Sequence, residues 1–205
     1  MFTLQTKGYT LVEVLVAISI LLLAIVGPMT IAAKGLQSAY YARQQATALF
    51  LAQEAIEVVV ASRNDALIEA IKAGTALDTA WRDWVVSPVF ALCRNASGCN
   101  FDVRYTNTGT VVSQGIGGLH VKNCNNLSQC VMKYDTNQIR ARYNLMSGSN
   151  TEYTRVVKFI NETDRDGNSQ NDGVFIEVTV SWSARVFNNT TQSVVLTSAV
   201  YSIYE

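Results

Sequence analysis

The stretch KGYTLVEVLVA, residues 7–17, decides how the rest of the chain is read. It opens an apolar run over residues 11–33 in which Glu13 is the only charge. A helix of roughly 20 such residues crosses the hydrocarbon core of a bilayer, so the run is long enough for one span. A charged side chain deep in that core costs about 2.5–3.5 kcal/mol on insertion scales, and less where it reaches interfacial water. Glu13 is therefore either an interfacial carboxylate or a group awaiting a cationic partner. A secretory signal peptide competes with the anchor reading. Gly27-Pro28-Met29-Thr30 interrupts the run, and Ala32-Ala33 could mimic a cleavage site. Neither a signal peptide nor a plain anchor needs a carboxylate at the entrance of its apolar core. No cysteine follows the run, which excludes a lipoprotein anchor.

Lys7 followed by Gly8-Tyr9-Thr10-Leu11-Val12-Glu13-Val14-Leu15-Val16-Ala17 resembles the class III signal of type IV pilins and type II secretion pseudopilins. The resemblance implies cleavage by a prepilin peptidase between Gly8 and Tyr9, then N-methylation of Tyr9. The family usually has Phe at that position, and Tyr keeps the aromatic ring. The apolar run would stay as a single-pass anchor in the bacterial inner membrane, then become filament core in a pilus or pseudopilus. Glu13 would pair with the new amino terminus of a neighbouring subunit. In low dielectric an ammonium and a carboxylate neutralise each other, while either alone is expensive. The implied partners are other pilins or pseudopilins, the prepilin peptidase, the inner membrane and its assembly platform. The implied organisation is a leader over 1–8, a membrane and filament-core segment over 9–33, and a domain outside the cytoplasm over 34–205.

Helical periodicity continues beyond the run. Leu49, Ala52, Ile56, Val59 and Val60 fall on one face, with Arg43, Gln44, Gln45, Gln53, Glu54 and Glu57 on the other. A helix from about Tyr9 to Ser62 would be ~80 Å long. Pro28 removes a backbone donor and favours a kink; in the family, a proline in this part marks where the helix loosens on assembly. The stretch AQEAIEVVVASR, residues 52–63, resembles minor pilins and pseudopilins of the I/V kind, as does EVLVA in the signal. That points to a tip or priming subunit.

The second half is rich in Asn, Thr and Ser. Residues 65–73 and 75–84 read as short helices or a connection, with Trp81 and Trp84 packed in the core and Pro88 ending the region. Alternation predicts strands at Phe101-Val103-Tyr105, 139–145, 154–160, 174–186 and 193–204, with a turn at Asn188-Asn189. Antiparallel strands against one long helix make an α+β domain, and the pilin resemblance implies the same architecture. The four cysteines form two Cys-x5-Cys pairs. Three disulfide connectivities are open, of which local pairing, Cys93–Cys99 with Cys124–Cys130, is expected. Zinc competes, but the spacing is unusual for it.

The segment DRDGNSQNDG, residues 164–173, places oxygen ligands Asp164, Asp166, Asn168 and Asp172 around a glycine. It resembles the first part of a calcium loop, although Phe175 stands where an EF-hand has its bidentate Glu. The alternative is a solvated hairpin loop rich in turn residues. His120 is the only histidine, and no nucleophile motif or phosphate loop occurs, so a non-enzymatic role is expected. The net charge of zero leaves no nucleic-acid footprint. A membrane-anchored adhesion or binding protein is the other function class these features allow.

Overall fold

The computed structural model describes residues 8, 10–103, 119–136, 142–164, 172–184 and 190–202. The chain forms two compact units, Met1–Gln44 and Gln45–Glu205. The first is helical. Helix α1 (Leu11–Ala73) begins in it and runs unbroken through Pro28. Proline cannot donate to the carbonyl one turn back, and Thr30 Oγ1 makes its own local bond there, donating to the Gly27 carbonyl at 2.7 Å.

In the second unit α1 continues to Ala73, beyond the predicted end near Ser62. The stop is chemical. Gly74 has φ +68, its N–H bonds the Ile71 carbonyl, and the Thr75 N–H bonds the Ala70 carbonyl. That pair of bonds is a Schellman cap, which glycine permits without a Cβ clash. The face of α1 against the sheet is Ala48, Leu51, Ala52, Ala55 and Val59, all buried. The predicted stripe is thus turned by about one residue. Leu49 is exposed, and Ile56 and Val60 are half-buried. The alanines win the contact because small side chains bring helix and sheet closest.

Helix α2 (Leu77–Val85) follows, and α3 (Pro88–Ala91) is a single turn. Pro88 starts that turn rather than ending a region. It sits in the first helical turn, where proline is tolerated, and the Ser87 side chain caps the Val89 N–H. Trp81 and Trp84 are buried, and Trp84 stacks edge-on against Phe90.

Among the described residues, seven strands form one antiparallel sheet: β1 (Cys99–Val103), β2 (Leu119–Asn123), β3 (Val131–Asp135), β4 (Arg142–Asn144), β5 (Ser149–Thr163), β6 (Gly173–Ala184) and β7 (Thr190–Tyr201). The chain is α+β, a long helix with an antiparallel sheet. Strand β5 is the axis: β3 and β1 pair along one edge of it, β6 along the other, and β7 pairs with β6. On β6, Val174, Ile176, Val178, Val180 and Trp182 are all buried, as the alternation predicts. Strand β3 carried no strand expectation; of the predicted strands and turn, Tyr105, residues 139–141, 185–186 and 203–204 and the Asn188-Asn189 turn lie outside the described residues.

Cys93 pairs with Cys99 and Cys124 with Cys130. The two staples meet at Gly98, whose carbonyl accepts the Cys124 N–H at 3.1 Å. Gly98 has φ +69, and a Cβ there would stand 2.7 Å from the Val157 carbonyl oxygen. Only glycine lets β5 pass that close to the crosslinked turn.

Candidate functional site: the helix start and a buried polar hub

The helix start is built by Thr10. Its Oγ1 accepts the Glu13 N–H at 3.3 Å, and its carbonyl accepts the Val14 N–H at 3.2 Å. Thr10 is therefore the N-cap and Glu13 the third helical residue, the spacing of a capping box. A carboxylate there also faces the positive end of the helix dipole. Gly8 and Glu13 are exposed, and Tyr9 lies outside the described residues. From Leu11 onward the large apolar side chains are open: Leu15 is 57% exposed, Leu21 60% and Leu23 76%. Contiguous apolar exposure on this scale marks a surface meant for lipid or another protein. Among the described residues, one helix, Leu11–Ala73, is long and apolar enough to cross a membrane.

The second unit holds a polar cluster that sequence reasoning missed. Arg155 stands on the inward side of β5, between Tyr153 and Val157, and is 2% exposed. Its Nε donates to Asn100 Oδ1 at 2.8 Å, and its Nη2 donates to the Phe101 carbonyl at 2.6 Å. Its Nη1 donates to the Leu51 carbonyl at 3.0 Å and to Glu54 Oε2 at 3.1 Å. One guanidinium thus ties α1, β1 and β5 together. Asn100 passes the tie on, its Nδ2 donating to the Cys130 carbonyl at 3.1 Å. Asp102, also buried, accepts the Leu145 N–H on Oδ2 at 3.2 Å.

Burial pushes the carboxyls of Glu54 and Asp102 above their ordinary values, and the charge of Arg155 opposes the rise in both. Burial also pushes the Tyr153 phenol up to about 12. A groove of about 470 Å³ opens beside the hub, walled by Phe50, Leu51 and Tyr143 with Glu54, Asp102 and Arg142 at its polar end. The hub's hydrogen bonds all go to backbone or to side chains that hold elements together, so its evident work is to clamp helix to sheet. The signal for Arg155 was present: an arginine at an inward position of an alternating strand must be paired.

Of the calcium expectation, Asp164 is exposed at the end of β5 and Asp172 is buried before β6; Asp166 and Asn168 lie outside the described residues. Among the described residues, no group of three or more His, Cys, Asp or Glu is placed to hold a metal. His120 lies on β2 opposite Asp102.

The family profile of the prokaryotic N-terminal methylation motif matches residues 5–27. The chain thus carries a prepilin-type signal at the point where Thr10 starts α1, followed by an apolar helix suited to membrane anchoring. The motif supports a type IV pilin-like processed subunit, a class that is structural rather than catalytic, and implies processing by prepilin peptidase and assembly with other pilins. No curated protein and no solved structure matches the chain.

Proposed function

We propose that this chain is a minor pilin or pseudopilin. It is cut after Gly8, methylated on Tyr9, held by its apolar helix in the inner membrane, and assembled near the tip of a pilus or pseudopilus. The observation that carries this reading is the match over residues 5–27, joined to the exposed apolar helix that follows it. Its mechanism is non-covalent. The exposed face of α1 supplies packing area, and Glu13 supplies a charge that the ammonium of a neighbour's cleaved terminus can neutralise. The disulfide-stapled α+β unit gives the subunit its own surface. The minor, tip-side role rests on the resemblance of residues 52–63 to the I/V kind. Calcium binding around residues 164–173 remains a proposal resting on ligand type and spacing alone.

Intact mass of the mature protein tests the processing step. Loss of residues 1–8 with one added methyl group is expected; an intact start, or a cut after Ala33, refutes it. Glu13→Gln tests the pairing step. Gln keeps a capping-box residue while removing the charge. Membrane insertion should be unchanged and incorporation into filaments reduced at least tenfold, an order of magnitude that corresponds to about 1.4 kcal/mol. Normal incorporation of Glu13→Gln would refute the charge pairing and leave the processing result standing.

A further inference from the structure

The groove beside the Arg155 hub has the size of a small-ligand site, about 470 Å³, and its described lining residues all belong to the second unit. Its walls are held before any ligand arrives. On one side α1 presents Leu51, which is buried, and Phe50, which is 69% exposed. On the other side β4 presents Tyr143. The Tyr143 ring centroid lies 5.1 Å from that of Tyr134 and 5.9 Å from that of Tyr153, so neighbouring rings hold it in place. Arg155, on β5, grips α1 at the Leu51 carbonyl and at Glu54, which fixes helix against sheet. A slot formed in advance loses little entropy on filling.

The polar end of the groove is one cation short. Glu54 feels Arg155, Asp102 and Glu57; Asp102 feels Arg155 and Arg142. Three carboxyls thus share two guanidiniums. Arg155 already donates to Asn100, Phe101, Leu51 and Glu54, and the charge of Arg142 is set against Asp102. Asp102 is buried and accepts the Leu145 N–H. Glu54 is the accessible carboxylate. Arg155 takes its Oε2, and its side chain is 44% exposed where it lines the groove. Burial raises the Glu54 carboxyl, and Asp102 and Glu57 add to the rise against the opposing Arg155. A further cation beside Glu54 would relieve all three carboxyls.

We propose that this groove binds a small organic cation of the arylalkylamine class, its ammonium on Glu54 and its ring between Phe50 and Tyr143. The aromatic walls favour such a ligand twice, through area buried against the ring and through the attraction of a cation to a ring face. An anionic ligand of the same shape meets Glu54 and Asp102 with like charge, and a neutral one leaves the cluster short of its cation. The proposal goes beyond the reading of the chain as a pilin-like subunit and does not depend on it.

The test titrates the full-length protein, in micelles of an uncharged detergent, with 2-phenylethylamine at pH 7 and reads heat of binding against protein-free micelles. Saturable binding with a Kd of about 1 mM or tighter is expected for a ligand this small. The neutral 2-phenylethanol and the anionic 3-phenylpropionate should bind at least tenfold more weakly. Glu54→Gln should weaken the amine about tenfold and leave the alcohol unchanged, whereas Phe50→Ala should weaken both. Glu69→Gln, which alters an exposed carboxylate paired with Lys72 elsewhere on α1, should change neither. Tryptophan fluorescence checks that each variant is folded. Heat no greater than that of the micelles, equal binding of amine and propionate, or unchanged amine binding in folded Glu54→Gln overturns the proposal. Tighter binding of a blocked lysine, Nα-acetyl-lysine amide, than of 2-phenylethylamine would assign the groove to a protein side chain and overturns it too.

Discussion

Replacing Arg155 with Met should strongly destabilise the second unit while leaving the fold's outline intact. Four hydrogen bonds to Asn100, Leu51, Glu54 and Phe101 disappear together. The Met side chain fills much of the volume but offers no donor. Asp102, 6% exposed, loses the charge that opposes its burial. Breaking a buried pair by removing one partner costs about 3–5 kcal/mol. The figure is not higher because Glu54 is 44% exposed on its side chain and can turn to water. For a unit of this size, that corresponds to a fall in Tm of roughly 6–20 °C. Glu54→Gln is the internal control. It keeps an oxygen acceptor for Nη1 and alters a half-exposed group, so the loss should be about 1 kcal/mol or less. All three tryptophans, Trp81, Trp84 and Trp182, are buried in the same unit, so their fluorescence reports its unfolding directly. Denaturant titration of the full chain in micelles gives both numbers. Equal losses for Arg155→Met and Glu54→Gln, or a loss below about 1 kcal/mol for Arg155→Met, would refute the clamp.

Three further outcomes follow from the same geometry. Gly98→Ala, at φ +69 and with Val157 O 2.7 Å from the new Cβ, should cost about 2–4 kcal/mol by denaturant titration; Gly74→Ala, at φ +68 with open space around it, should cost only about 1–2. Glu54 and Asp102 titrate higher in the folded protein than their ordinary 4.5 and 3.8, so the folded state holds more protons just above those values. Their contribution to stability therefore falls as pH rises from that range through the folded values, and Asp102→Asn should remove its share of that slope in a pH series of unfolding curves. Replacing both Cys124 and Cys130 by Ser opens a loop of sequence separation 6 and should cost about 2–3 kcal/mol, read as a lowered unfolding midpoint; reductant, which opens Cys93–Cys99 as well, should lower the midpoint of the native chain further.

What the sequence made legible was whatever carried a strong period or a fixed spacing. Strand β6 alternates cleanly because one face, Val174, Ile176, Val178, Val180 and Trp182, is buried and the other is only half-buried. The helix start was legible near Tyr9 because an apolar run opens there, but the Thr10 cap itself was visible only in the structure. The stripe of α1 was misplaced by one residue because alanine is weakly informative: Ala48 and Ala55 look neutral in a pattern, yet they define the closest approach to the sheet. Strand β3 escaped because Val131–Asp135 is short and buries Met132 and Asp135 at non-alternating positions. The Arg155 hub escaped for a different reason. Its partners are Leu51, Glu54, Asn100 and Phe101, contributed by α1 and β1, and two of the four acceptors are backbone carbonyls that no sequence pattern displays.

The position of Glu13 changes how its charge should be understood. Residues 14–33 separate it from Lys34, roughly 20 residues or ~30 Å of helix, which matches the thickness of the hydrocarbon core. The two charges thus bracket the apolar span, and in a lone anchored chain Glu13 lies at a boundary with access to water. There the helix dipole contributes about 0.3–1 kcal/mol in its favour. That is enough to settle an interfacial carboxylate, but well short of the 2.5–3.5 kcal/mol needed deep in lipid. The carboxylate becomes costly only when the helix shifts along its axis or water is excluded around it, as when neighbouring helices close in. Under the proposed pairing, an ammonium arriving with such a neighbour then meets a charge that has just lost its water, so the pairing free energy would be gained at assembly rather than stored in the anchored subunit. Glu13 on this account leaves the membrane anchor undisturbed and selects, among apolar helices of similar packing, those that bring a cation to the same depth.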